Sequence, residues 1–259
     1  MARVLITGCS KGIGRATAIE LARRGHEVVA TARRAETLAD LPVAVRLALD
    51  VTDDASVKRA ADAAGAIDVL VNNAAEIALG PLESLPLGEA RRLFDINLFG
   101  ALRTVQAFAP AMRARGKGTI VNVSSMVGRM GFPLTGAYVA TKWALEGLSE
   151  SLRFELGHFG VHVVLVEPGA ISSGALDAPR SYFASDDPYL PLAGQLKFDP
   201  SRMTAPEAVA RAISDASERP ERQFRWVIGP DAEALLGARA KQDDASFEET
   251  FRDGLGLKW

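Results

Sequence analysis

The sequence predicts an α/β fold: one doubly wound domain over residues 1–259, with a mainly parallel central sheet flanked by helices. Three observations predict it. Short apolar runs, nearly continuous Val, Ile, Leu and Ala, recur along the chain, as strands covered on both faces require. Longer stretches of helical spacing separate these runs, so crossovers rather than hairpins join the strands. A turn with three glycines follows the first run directly, where a strand passes into a helix.

The elements follow in order. Residues 4–7 are the first strand, and the glycine turn opens a helix over 12–24. Strands at 28–31 and 45–49 precede a helix at 54–64, and a strand at 69–72 leads to one long helix at 87–115. The strand at 119–123, the helix at 137–159 and the strand at 161–167 continue the alternation. A helix at 206–217, a strand at 225–228 and a helix at 231–241 complete it. Pro206 suits a first helical turn, with Thr204 or Ala205 near the cap. Residues 172–204 break the pattern, being rich in Ser, Pro, Asp, Gly and aromatics, and read as a substrate lid or a disordered stretch. Residues 231–259 read as a C-terminal helix and tail.

Composition narrows the function. The chain is 48% hydrophobic and 24% charged with a net charge of −2, so nothing in it attracts nucleic acid or an anionic membrane. Cys9 is the sole cysteine, which excludes an intramolecular disulfide framework and fits a reducing compartment. In the glycine turn it reads as a small filler rather than a nucleophile. His26, His158 and His162 are scattered without metal-ligand spacing, so no metal is expected. The N-terminus reads as a strand rather than a signal peptide, and no apolar run approaches the ~20 residues of a membrane span. A cytoplasmic protein is the expectation.

The turn Thr7-Gly8-Cys9-Ser10-Lys11-Gly12-Ile13-Gly14 is spaced Gly-x-x-x-Gly-x-Gly, unlike the standard Gly-x-Gly-x-x-Gly dinucleotide fingerprint. Its glycines still allow the backbone to approach a pyrophosphate, which a helix N-terminus favours. After the second strand, where an acidic residue would bind the ribose 2′-hydroxyl of NAD, the chain has Arg33 and Arg34. With Lys11, these cations suit a 2′-phosphate, so NADP(H) is favoured over NAD(H). Asp50-Val51 ends the third strand, where a carboxylate meets an adenine amino group. Asn72-Asn73-Ala74-Ala75 ends the fourth; Asn72 either belongs to the site or braces the sheet, and Ala74 is small enough to let a cofactor pass.

Tyr138 and Lys142 stand four apart on a helix and share a face. An ammonium beside a phenol stabilises the phenolate, so Tyr138 is expected to have a lowered pKa and to exchange a proton with an alcohol or ketone near neutral pH. Ser124 and Ser125 follow a strand, and either supplies a second donor or merely ends the strand.

Over about residues 2–175 the chain resembles the classical short-chain dehydrogenases/reductases. The resemblance is carried by Thr7 to Gly14, Asp50, Asn72-Asn73-Ala74, Asn97, Ser124-Ser125, Tyr138-x-x-x-Lys142 and Pro168-Gly169, in that order. It implies a Rossmann-type fold and assigns Tyr138 as general acid/base. It selects Ser125, thirteen residues before the tyrosine, as the donor that polarises the carbonyl. It places Lys142 on the nicotinamide ribose, and Asn97 beside a proton-relay water. Pro168, Gly169, Ile171 and Ser173 would lie beside the nicotinamide. Two departures stand out. Ala75 replaces the family's usual glycine, which would strain the loop by ~1 kcal/mol or more if φ there is positive. The acidic residue of NAD-preferring members is absent.

Family geometry lines the substrate pocket with residues 76–79, 126–134 and the loop after Pro168, which carries Tyr182, Phe183, Tyr189 and Phe198. With Met126, Met130 and Phe132 these suggest an apolar pocket under a lid, for an aryl, steroid-like or retinoid-like carbonyl or alcohol. The same aromatics would equally pack the lid onto the body. Helices 87–115 and 137–159 are the surfaces through which the family forms homodimers or homotetramers. A non-catalytic NADP(H) sensor or scaffold of the same fold is the alternative reading.

Overall fold

Strand-forming runs and crossover helices alternate as their spacing requires. The structure, a computed structural model, describes residues 1–172, 179–196 and 203–257. In chain order it has β1 (Arg3–Ile6), α1 (Gly12–Arg23), β2 (Glu27–Ala32), β3 (Val45–Ala48), α2 (Asp54–Ala64), β4 (Val69–Asn72) and a two-residue β5 (Ala78–Leu79). Next come α3 (Leu87–Phe94), α4 (Gly100–Arg115), β6 (Gly118–Val123), α5 (Gly136–Gly157) and β7 (Val161–Pro168). The rest is β8 (Arg180–Ser181), α6 (Leu190–Gln195), α7 (Pro206–Glu218), β9 (Arg225–Ile228), α8 (Pro230–Arg239) and α9 (Asp244–Leu255).

Among the described residues seven strands form one sheet in the order β3-β2-β1-β4-β6-β7-β9, every pair parallel. The period-2 alternation of a strand sorts its side chains between two layers. Val4, Ile6, Val69, Val71, Val121, Val123, Val164 and Val166 face Leu21 of α1 and Val209 and Ile213 of α7. Leu5, Leu70, Ile120 and Val163 face Val105, Phe108 and Met112 of α4 and Leu152 of α5. Each fully buried Leu or Ile contributes ~1.5–3 kcal/mol, so both faces must be covered for the fold to hold. The order reverses between β1 and β4, which opens a crevice at their carboxyl ends.

Three elements differ from the sequence reading. The long helix at 87–115 is broken by a π-helical turn, Asp95–Phe99, which bulges Asn97 inward. Segment 172–204 is not featureless: β8 pairs with β5, and α6 lies within it. The C-terminal tail folds as α9, where the Asp243 side chain caps the Ser246 N–H (2.8 Å) and Gly256 adopts a left-handed φ of 68°. The cues were present in the sequence: an acidic cap, Phe247 and Phe251 at i,i+4, and a closing glycine.

Candidate functional site

The crevice begins at the glycine turn. Gly8 and Gly12 have φ of 76° and 58°, conformations a side chain resists. A Cβ on Gly14 would fall within 3.0 Å of the Gly8 carbonyl and of Asn73 Nδ2, so backbone fills that space. Thr7 fastens the turn to the end of β4: its hydroxyl accepts from the Asn73 and Ala74 N–H groups, each at 3.0 Å. Asn73 Nδ2 in turn donates to the carbonyls of Thr7 (2.8 Å) and Gly8 (3.1 Å). The N-terminus of α1 has no side-chain cap and no acid in its first turn, which leaves its N–H groups to an anion. Ser10 and Lys11 are exposed beside it, and Ile13 packs into the core. This cradle fits a dinucleotide pyrophosphate. Cys9 is a buried filler, its thiol pushed up to about 12 by burial.

Along the crevice, Arg33 and Arg34 are exposed at the end of β2. Arg33 reaches Glu76 at 3.6 Å, yet its side chain remains 74% exposed, so the pair is a weak one. Asp50 accepts from the Thr52 N–H (3.0 Å) and hydroxyl (2.7 Å), and Val51 packs against Gly100. Among the described residues Leu134 is the non-glycine with positive φ, so Ala75 carries none of the strain the missing glycine raised. Asn72 braces the sheet, joining Asn122 (2.9 Å) and Thr104 (2.6 Å) in a buried network.

The catalytic candidates converge at the same edge. Asn97 is buried; its Oδ1 accepts from the Glu76 N–H (2.8 Å), and its Nδ2 donates to the Glu76 carbonyl (2.9 Å) and the Thr141 hydroxyl (3.1 Å). Thr141 donates to the Tyr138 carbonyl at 2.7 Å, so the π-turn clasps the segment after β4 to α5. Lys142 is buried on α5 and donates to the Val123 carbonyl (2.8 Å), with Nζ 5.7 Å from the Tyr138 ring centre. The two serines separate. Ser125 lies by the phenol, accepting from the Val127 N–H (3.3 Å) and donating to the Pro168 carbonyl (3.4 Å). Ser124 turns the other way, toward Gly128 and Glu146.

The electrostatics correct one expectation. Burial pushes the Tyr138 phenol up to about 12, and its Ser125 hydrogen bond only partly opposes this. Burial also lowers Lys142 to about 8, against the support of Glu146 one turn along α5. The ammonium is bonded to a carbonyl rather than to the phenol, so desolvation wins and Tyr138 is protonated at neutral pH.

Behind Lys142, Glu146 and Glu167 are buried beside the part-buried Arg225, whose Nε lies 2.9 Å and 3.1 Å from them; Arg129 lies 3.3 Å from Glu167. Burial and Glu146 raise the Glu167 carboxyl from 4.5 to about 7. Between those values the folded state holds a proton that the unfolded chain releases, so stability falls as pH rises through this window. Glu167→Gln should therefore gain stability relative to wild type between pH 4.5 and 7, measured by urea unfolding. A constant difference across the window would disprove the shift.

Other predicted residues are placed differently. Met126, Met130 and Phe132 pack with Phe247 and Phe251 of α9, so they are largely core under the C-terminal helices rather than an open pocket wall. Tyr182 packs against Ala78, Leu93 and Ala137, fixing that part of segment 172–204 to the body. Phe183 and Tyr189 are half-buried, while Ser173 and Phe198 lie outside the described residues. Pro168 ends β7 with Gly169 next to it, and Ile171 bridges to Thr204. Trp143 is half-exposed. Sequence reasoning missed Thr141, Asp231 and the α9 phenylalanines, and placed Glu76 on the pocket wall rather than against Asn97. No helix among the described residues is long and apolar enough to cross a membrane.

Comparison with known proteins decides the family. The short chain dehydrogenase model matches residues 2–181. The chain belongs to the short-chain dehydrogenase family. This short-chain dehydrogenase is 36% identical to human 17-beta-hydroxysteroid dehydrogenase type 1 over 94% of its own length and 81% of that protein's. A short-chain dehydrogenase from Streptomyces avermitilis superposes with a TM-score of 0.85 at 36% identity, covering 98% of each chain. Another from Burkholderia cenocepacia, solved in complex with NADP, gives 0.80 at 27% identity over 98% and 97%. The protein is an oxidoreductase of this family, which acts on small molecules with NAD(P).

Proposed function

We propose that this short-chain dehydrogenase is an NADP(H)-dependent reductase of apolar ketones or aldehydes, working reversibly on the corresponding alcohols. The observation that carries this reading is the convergence of Ser125, Tyr138, Lys142 and Asn97 at the edge of a glycine cradle. The turn from Gly8 to Gly14 would hold the pyrophosphate, and Lys11, Arg33 and Arg34 the 2′-phosphate. Asp50 and Val51 would flank the adenine, with Asn73, Ala74 and Ala75 along the ribose. Lys142 would hold the nicotinamide ribose, and Pro168, Gly169, Ile171 and Ser173 the nicotinamide. NADPH, when bound, supplies the hydride.

The protein handles the oxygen. Ser125 donates a hydrogen bond to the carbonyl, and Tyr138 gives its phenolic proton to the oxygen as negative charge develops there. A phenol protonated at neutral pH is suited to this acid role, which favours reduction. Lys142, charged below about pH 8, stabilises the phenolate left behind. Asn97 holds the walls in place. An apolar, steroid-like substrate is supported by the name of the human relative. Leu87, Trp143 and Phe154, exposed on α3 and α5, support a homodimer or homotetramer.

The test follows absorbance at 340 nm with NADPH, then NADH, against aryl, aliphatic, steroid and sugar ketones. Turnover of apolar ketones with NADPH is expected. Arg33→Ala combined with Arg34→Ala should weaken NADPH ~10–100-fold and NADH by less than ~3-fold, the worth of charge-assisted bonds to one phosphate. Equal losses would remove these arginines from the 2′-phosphate. NADPH binding with no turnover of any ketone would favour the sensor reading.

A further inference from the structure

Beyond the convergent side chains, one carboxylate reaches the proposed nicotinamide side from the far end of the chain. Asp231 lies in the first turn of α8, and its Oδ2 accepts from the Ala170 N–H at 2.7 Å, across 61 residues of sequence. The space around it is shaped by glycines. A Cβ on Gly169 would fall within 3.0 Å of both carboxylate oxygens, and one on Gly229, at φ 111°, would lie 2.7 Å from Oδ1. Gly169 also donates its N–H to the Ile228 carbonyl at 2.9 Å. The loop leaving β7 is thus held by the end of β9 and by the carboxylate that follows it.

The same loop roots both ends of segment 172–204, read from the sequence as a lid. Thr204 donates its N–H to the Ala170 carbonyl (2.9 Å) and accepts from the Ser172 N–H (3.1 Å), and Ile171 pairs with Thr204. Both ends of segment 172–204 therefore meet at Ala170, the residue Asp231 grips. α8 is itself anchored, since Ala232 and Leu236 pack with Met126, Val127 and Met130 just after Ser125. One carboxylate so links the serine loop, the lid root and the residues proposed to flank the nicotinamide. The arrangement is costly for a purely structural tie: Oδ1 is buried and has no hydrogen-bond partner among the described residues.

We propose that Asp231 is a positioning residue, which fixes the Gly169–Ala170 backbone and the lid root in the geometry that receives the nicotinamide half of the cofactor. The inference rests on the NADP(H) reading above. It requires that loss of Asp231 damage binding of the nicotinamide half and spare the adenine half, a split that general destabilisation would not produce.

The experiment measures affinities of the full chain for NADPH and for adenosine 2′,5′-bisphosphate, which lacks nicotinamide, by calorimetry. Asp231→Ala should weaken NADPH about tenfold or more and leave the bisphosphate within about twofold, the loss expected for one hydrogen bond to a charged acceptor. Asp231→Asn keeps an acceptor for the Ala170 N–H and should stay within about threefold of wild type for both ligands. Gly169→Ala should weaken NADPH in the wild type but add little to Asp231→Ala, because the group it meets is gone. Equal loss for both ligands, no loss for either, an Asn variant as impaired as Ala, or fully additive losses would each overturn the role of Asp231. A wild-type chain that binds neither ligand would overturn the cofactor reading itself, and this inference with it.

Discussion

Tyr138→Phe should lower kcat for carbonyl reduction by ~10²–10⁴-fold while NADPH affinity stays within about threefold of wild type. The substitution removes one oxygen and keeps the ring, which packs against the cluster of Met126, Met130, Phe247 and Phe251. Volume is nearly conserved, so the loss of stability should stay below ~1.5 kcal/mol. What disappears is the proton. Lys142 does not replace it, because its ammonium is committed to the Val123 carbonyl at 2.8 Å and lies 5.7 Å from the ring centre. Single-turnover kinetics at 340 nm together with fluorescence titration of NADPH separate the two effects. A kcat within fivefold of wild type would move the acid to another group. Parallel loss of binding would mean that the phenol serves the cradle instead.

Gly14→Ala should weaken NADPH by ~10–100-fold, the equivalent of the 1–3 kcal/mol that overpacking a tight site costs. The added methyl group meets the Gly8 carbonyl and Asn73 Nδ2, and neither yields cheaply. The carbonyl is backbone in a turn already held by Gly8 at φ 76°, and Asn73 is tied to Thr7 as well. The turn must open, and the N–H groups at the start of α1 then lose their alignment. Gly147→Ala, on α5 with nothing within 4 Å of the new methyl group, is the control and should leave binding unchanged. Equal effects at the two positions in calorimetric titration would show that the loss at Gly14 is not steric.

Much of the fold was legible from local chemistry. The strand readings at 69–72 and 225–228 and the helix at 54–64 coincide with β4, β9 and α2, because short apolar runs between turn residues leave few alternatives. The glycine turn was legible because glycine alone tolerates the backbone that Gly8 and Gly12 adopt. The break in the long helix was not legible. A π-turn keeps helical spacing on either side, and its cause is tertiary: Asn97 must turn in to clasp Glu76 and Thr141. α9 was passed over although Asp243 and Gly256 mark its ends. Its phenylalanines also show why Met126, Met130 and Phe132 were open to a pocket reading: an apolar cluster reads the same whether it faces a ligand or another helix.

The sequence by itself determined the mainly parallel sheet, the glycine turn after β1, the cationic end of β2 and the pairing of Tyr138 with Lys142 on one helix face. These follow from side-chain periodicity and backbone permission, which act within a few residues. Only the tertiary structure decided the protonation of Tyr138, the separation of Ser124 from Ser125 and the reach of Asp231 to Ala170. A pKa depends on how much water the whole fold removes, and burial raised the phenol more than its Ser125 hydrogen bond lowered it. A carboxylate finds an N–H 61 residues away only after β7 and β9 have paired, because that pairing brings their ends together.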